Sequence, residues 1–184
     1  MSKITKNTLK KHLEELTKAE LTAELLKLYD KIKAVKDYYE MDLGTDTSAV
    51  LNAYKAKIER QYFPKRGYGT PKAAEVRKLI SEFKKIAIFE FDVVDLLLFR
   101  VERAVDFTNA YGDIDEAFYT SAENAFDDAL KLAKKTATLA AIKERSRQVV
   151  LETKDMGWGL HGTLFETFTE YFEEEPYLRS SRRL

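Results

Sequence analysis

The run Ile86–Phe107, "IAIFEFDVVDLLLFRVERAVDF", admits two readings, and the choice between them sets the fold class. Its first six residues alternate in a way that suits a strand. The continuation does not: from Phe89 to Tyr111 apolar residues cover most of a helical circumference, and Asp92, Asp95, Glu102 and Asp106 fall on one narrow polar stripe. No Gly or Pro interrupts the segment, so it reads as a central helix, with "IAIFEF" as its start. Seven Gly and three Pro in 184 residues also leave little turn chemistry for a many-stranded sheet.

Toward the N-terminus, Leu9, Leu13 and Leu16 recur at helical spacing. Thr17, three residues ahead of Glu20, has the pattern of a capping box opening a helix whose apolar face is Leu21, Leu25, Leu28, Tyr29 and Ile32. "VKDYY" (35–39) reads as a short aromatic turn, and residues 44–48 as a connection into a helix carrying Val50, Leu51, Tyr54, Ile58 and Tyr62. Pro64 disfavours helical geometry in Phe63 and stops that helix. In "YFPKRGYGTPKAAEVRK" (62–78), Gly67 and Gly69 turn the chain, and Thr70 with Pro71 suits the N-cap and first position of the next helix.

Toward the C-terminus, Gly112 suits a left-handed cap, and Asp113 with Glu116 an N-cap and its partner. Phe118, Ala122, Phe126, Ala129 and Ala133 line the helix that follows. Another helix spans about 137–154 by the same periodicity, and "GWGLHG" (157–162) separates it from a last helix with Leu164, Phe165, Phe168, Tyr171 and Phe172. The expected fold is a single all-α domain over 1–178, an irregular helical bundle of about eight or nine helices around a central apolar helix. Residues 179–184 form a basic tail, expected to be disordered.

Composition narrows the function classes. Cysteine is absent, which excludes disulfides, thiolate metal sites and Cys nucleophiles and suits a reducing cytoplasm. The N-terminus lacks a signal-peptide core, and the most apolar run, Val93–Phe99, is broken by Asp95 and too short to cross a bilayer, so a cytoplasmic protein with no membrane partner is expected. Formal net charge is zero, but the charge is blocked. Residues 55–85 carry ten Lys and Arg against three Glu, a net of +7, and residues 87–130 carry eleven Asp and Glu against two Arg, a net of −9. The blocks either neutralise each other as neighbouring helices or form two charged faces.

The segment "SKITKNTLKKHLEELTKAELTAELLKLYDKIKAVKDYY" (2–39), together with "YFPKRGYG" (62–69), "YGDIDEAFY" (111–119) and "GWGLHG", resembles an uncharacterised bacterial family, a domain of unknown function. The resemblance spans nearly the whole chain and implies a stand-alone helical cytoplasmic protein; it implies no activity, cofactor or catalytic residue.

No motif identifies an enzyme. The two histidines, His12 and His161, lack the Glu-x-x-His spacing of carboxylate-bridged metal sites and form no H-E-x-x-H pair, so no metal or cofactor is expected. No G-x-S-x-G elbow occurs, and no catalytic residue is assigned. Two groupings remain. Lys65, Arg66, Tyr68 and Lys72 surround a glycine turn and can hold an anion or stack on a base, although the Walker spacing is absent; otherwise they are a basic helix connection. Trp158 and His161, three apart in a glycine-rich loop, can form a binding or proton-transfer site; otherwise Trp158 plugs the core and His161 caps the helix from Thr163. The expected function is a non-enzymatic protein-interaction or regulatory role, given 22 aromatics and no catalytic signature, with partner binding or self-association. The alternatives are nucleic-acid or phosphate-anion binding through 55–85 and an enzyme site near Trp158 and His161.

Overall fold

A computed structural model describes residues 4–44, 46–173 and 176–177; the expected tail at 179–184 lies outside the described residues. Among the described residues the chain is all-α, with nine helices and no strand. Contacts gather into two compact units, residues 1–45 and 46–184. No helix among the described residues is long and apolar enough to cross a membrane.

The first unit holds α1 (Lys6–Glu14), α2 (Lys18–Lys31) and α3 (Lys33–Leu43). The expected capping box is present: the Thr17 hydroxyl accepts from Glu20 N at 3.3 Å, and the Glu20 carboxylate accepts from Thr17 N at 2.8 Å. "VKDYY" is not a turn but part of α3. Its tyrosines pack as helix residues, Tyr39 lying 6.4 Å from Tyr29 of α2, and Lys33–Asp37 and Lys36–Glu40 pairs support it at i,i+4. The break falls instead at Ile32, whose extended backbone (φ −119°, ψ 105°) ends α2 and starts α3.

The second unit holds α4 (Ser48–Tyr62), α5 (Ala73–Lys84), α6 (Glu90–Tyr111), α7 (Glu116–Lys135), α8 (Leu139–Glu152) and α9 (Leu160–Phe172). α6 is the central helix: it packs on α4, α5, α7 and α8, and buries Val93, Val94, Leu96, Leu97, Leu98, Val101, Val105 and Phe107. Each such side chain, fully buried, contributes about 1.5–3 kcal/mol, so α6 dominates the core. "IAIFEF" forms no strand, and only its last two residues are helical. Ile86 is buried at the corner after α5, while Ile88 and Phe89 are exposed.

Two cap assignments shift. α7 is capped by Asp115, whose carboxylate accepts from Phe118 N at 2.8 Å, not by Asp113. α5 starts two residues later than "TP" suggests, with Lys72 as an N-cap that makes no side-chain bond. Thr70 and Pro71 stay outside the helix because Gly69 is anchored against the end of α4, which leaves the chain extended until Lys72.

Candidate interaction surface

The three glycine- and aromatic-rich connections of the second unit meet at one end of it. α4 stops at Tyr62, as Pro64 requires, with Phe63 N donating to Glu59 O at 2.7 Å. The chain then folds back over that end. A Cβ on Gly69 would sit 1.8 Å from the Tyr62 carbonyl oxygen and 3.2 Å from the Phe107 ring, so only glycine fits. Gly67, at φ +78°, makes the turn that brings it there.

This return places Tyr68 edge-on against Tyr111, with centroids 4.6 Å apart, and 5.6 Å from Phe107; Phe63 lies 5.9 Å from Phe107 and 6.2 Å from Tyr111. Edge-to-face contacts at these separations are the favoured aromatic geometry. Phe107 is buried, whereas Tyr68 is 57% and Tyr111 46% exposed. Beside them a cleft of about 380 Å³ is lined by Tyr68, Pro71, Phe107, Ile114 and Phe118, with Lys72 and Asp115 at its polar margin. Lys65, Arg66 and Lys72 are exposed, and none forms an ion pair among the described residues.

Asp113 holds the second and third connections together. Its Oδ1 accepts from the Tyr119 hydroxyl at 2.7 Å and from Gly157 N at 3.0 Å. Those bonds, Tyr119 first, hold the carboxyl below the usual range. A Cβ on Gly157 would press within 2.6 Å of Asp113 Oδ2, which explains that glycine. Trp158 and Gly159 follow in left-handed backbone, φ +58° and +75°. Trp158 does not plug the core: it is 58% exposed, and Leu160 and Leu164 fill the interior instead.

His161 lies inside α9, and it ties α9 to the end of α8. Thr153 donates its hydroxyl to Val150 O at 2.7 Å, so the 3.1 Å contact between Thr153 Oγ1 and His161 Nδ1 has the imidazole N–H as donor. Nδ1 also lies 3.2 Å from Val150 O, an acceptor only. That leaves Nε2 to accept from the Tyr177 hydroxyl at 2.7 Å. Both ring nitrogens are thus engaged with protein groups.

The acidic stripe of α6 is neutralised mostly from elsewhere. Asp95 takes Lys55 at 2.7 Å and Arg145 at 2.5 Å, and Arg145 also forks onto Glu102 with bonds of 2.5 and 3.0 Å. Burial raises the Asp95 carboxyl, but hydrogen bonds from Lys55 and Arg145 outweigh it and leave the group below its ordinary value. Arg103 bridges Glu59 at 3.2 Å and Asp106 at 2.5 Å. Of the basic block, Lys55 alone reaches the stripe among the described residues. Arg100 points away, toward Ser121 of α7.

Arg100, Ser121, Gly69 and Asp113 carry more of the arrangement than their sequence context suggests. Arg100 left a signal: five residues beyond Asp95, it stands about 140° around the helix from that carboxylate, at 100° per residue. Comparison with characterised proteins and with solved structures finds no match. The family model for DUF6155, a family of unknown function, matches residues 2–173, and the chain belongs to that family.

Proposed function

We propose that the chain is a non-enzymatic interaction protein of the cytoplasm, recognising a segment of a partner protein with the surface formed by Tyr68, Tyr111 and the cleft beside them. The observation that carries this reading is the placement of Tyr68. The Gly69 contact holds it in a fixed backbone position, half-exposed on an aromatic base, with Lys65, Arg66 and Lys72 on the same connection and in no ion pair among the described residues. Fixed, partly exposed aromatics beside cations are the residue types that dominate binding energy at protein interfaces.

Charge chooses the partner chemistry. Lys65, Arg66 and Lys72 form no ion pair among the described residues, and Lys72 borders the cleft, which suits an acidic segment with one large apolar side chain. A nucleic acid fits less well. Tyr68 already uses its ring against Tyr111 and Phe107, which competes with stacking on a base. An enzyme site at Trp158 and His161 draws no support from a histidine whose two nitrogens are both engaged.

Fluorescence anisotropy of the full chain against a panel of acidic, aromatic-bearing peptides and against single- and double-stranded oligonucleotides tests this. Peptide binding is expected to weaken about tenfold or more in Tyr68→Ala, and to fall again with Lys65→Glu and Arg66→Glu. Preferential oligonucleotide binding with a steep salt dependence, or peptide binding indifferent to Tyr68, rejects the proposal.

A further inference from the structure

Arg100 is 4% exposed, and its Nε has no hydrogen-bond partner among the described residues. Its Nη2 donates to Ser121 Oγ, and Arg77 Nη1 donates to the same oxygen at 3.2 Å. Two guanidinium groups thus converge on one neutral hydroxyl. A buried cation is ordinarily matched by a carboxylate, because removing it from water costs several kcal/mol. Here no carboxylate lies within ion-pair distance of Arg100 among the described residues; Asp128 stands farther off, and Tyr62 beside the guanidinium is a phenol that burial keeps protonated.

These groups border a pocket of about 270 Å³ between α5, α6 and α7. Arg100 and Ser121 line its buried floor, and Arg77, Lys84, Asn124 and Asp128 its exposed rim. Three positive charges face one negative charge, an excess of two. The volume lies just below the range of drug-sized ligand sites, about 300–1,000 Å³, which suits a compact group rather than a nucleotide. Ser121 Oγ already accepts from both arginines, so its own proton is left to donate into the pocket, one helical turn from the Asn124 amide.

We infer that this pocket binds a phosphate monoester dianion, held by Arg77, Arg100 and Lys84, with Ser121 and Asn124 donating to its oxygens. The dianion supplies the missing counter-charge, and planar guanidinium forks match phosphate oxygens in pairs. None of these residues belongs to the aromatic surface, so this inference and the proposed function stand or fall separately.

Calorimetric titration of the full chain with phenyl phosphate and with a phosphoserine peptide provides the test. Saturable binding is expected for at least one of them, with a dissociation constant at or below about 1 mM. Phenyl phosphate binding as well as the peptide assigns a small-molecule source; the peptide binding much more tightly assigns a phosphoprotein; both support the site. Arg77→Ala, at an exposed position that leaves the core intact, should weaken binding about tenfold or more. Asp128→Asn removes the competing carboxylate and should strengthen it by roughly threefold at surface-like dielectric. No saturable binding by either ligand, or binding unmoved by Arg77→Ala and Asp128→Asn, overturns the inference.

Discussion

Gly69→Ala is the sharpest perturbation of the loop end. An alanine Cβ would stand 1.8 Å from the Tyr62 carbonyl oxygen, far inside van der Waals contact, and its neighbour is backbone rather than a flexible side-chain tip. Relief requires the return loop to lift off α4, and lifting it draws Tyr68 away from Tyr111 and Phe107. Overpacking of this kind costs about 1–3 kcal/mol, and loss of the edge-to-face pair a further ~0.5–1.5 kcal/mol. The sum, about 2–4 kcal/mol, corresponds to a fall in Tm of roughly 5–15 °C for a chain of this length. Two glycines calibrate the measurement. Gly67→Ala has open space but φ +78°, so only the left-handed backbone is strained and about 1 kcal/mol is lost. Gly162→Ala sits in the first turn of α9 with nothing within 4 Å and should stabilise by about 0.5–1 kcal/mol. Thermal and urea unfolding followed by circular dichroism should rank the variants Gly162→Ala above wild type, then Gly67→Ala, then Gly69→Ala. A Gly69→Ala protein within ~0.5 kcal/mol of wild type would refute the claim that the loop is clamped onto α4.

The remaining expectations concern charge and exposure. Because the folded Asp95 carboxyl lies below its ordinary value, its contribution is present above the unfolded-state pKa and lost as pH falls through the lower folded one. Acid unfolding of Asp95→Asn should therefore begin from a lower plateau and show a shallower loss than wild type below about pH 4; identical profiles reject the pairing with Lys55 and Arg145. Asp106 has the opposite sign: burial first, then Glu152, Glu102 and Glu59, push it up against Arg103, so Asp106→Asn should gain stability at pH 7 relative to pH 3. Trp158 should emit like a water-exposed indole and be quenched by iodide, and Trp158→Gly should raise stability by about 1 kcal/mol through its left-handed backbone; a blue-shifted, protected emission would place it in the core after all.

Periodicity carried the helices because each apolar face in the second unit is buried against a neighbour, and burial is what the spacing reports. Val50, Leu51, Tyr54, Ile58 and Tyr62, or Phe118, Ala122, Phe126 and Ala129, needed no tertiary knowledge to be assigned. Caps were less legible, since several short polar residues near a helix start can each serve. Asp115 and Asp113 both suit an N-cap by type. The choice went to Asp115 because Asp113 is drawn to Tyr119 and Gly157, a partnership made by a residue 44 positions away. Thr70–Pro71 lost to Lys72 for a similar reason, the anchoring of Gly69 on Tyr62. The tyrosines of "VKDYY" read as a turn because aromatics have modest helix propensity, yet packing of Tyr39 toward Tyr29 decides the matter.

The charge blocks show how far composition reaches. Net charges of +7 and −9 along neighbouring segments invite the picture of two faces meeting, but ion pairs form by position on a helix, not by membership of a block. Asp95, Glu102 and Asp106 share one side of α6 with Arg103, and that side meets Lys55 and Glu59 of α4 and Arg145 of α8. Arg100, in the same acidic block, turns about 140° away from Asp95 to a side where Arg77 and Lys84 of α5 increase the positive charge rather than offset it. The protein thus neutralises its acidic stripe with three cations while leaving an arginine buried without a matched carboxylate. Replacing a buried, unmatched arginine with an apolar side chain is often neutral or stabilising, whereas a dianion in the pocket in front of Arg100 would supply the counter-charge that the described residues do not.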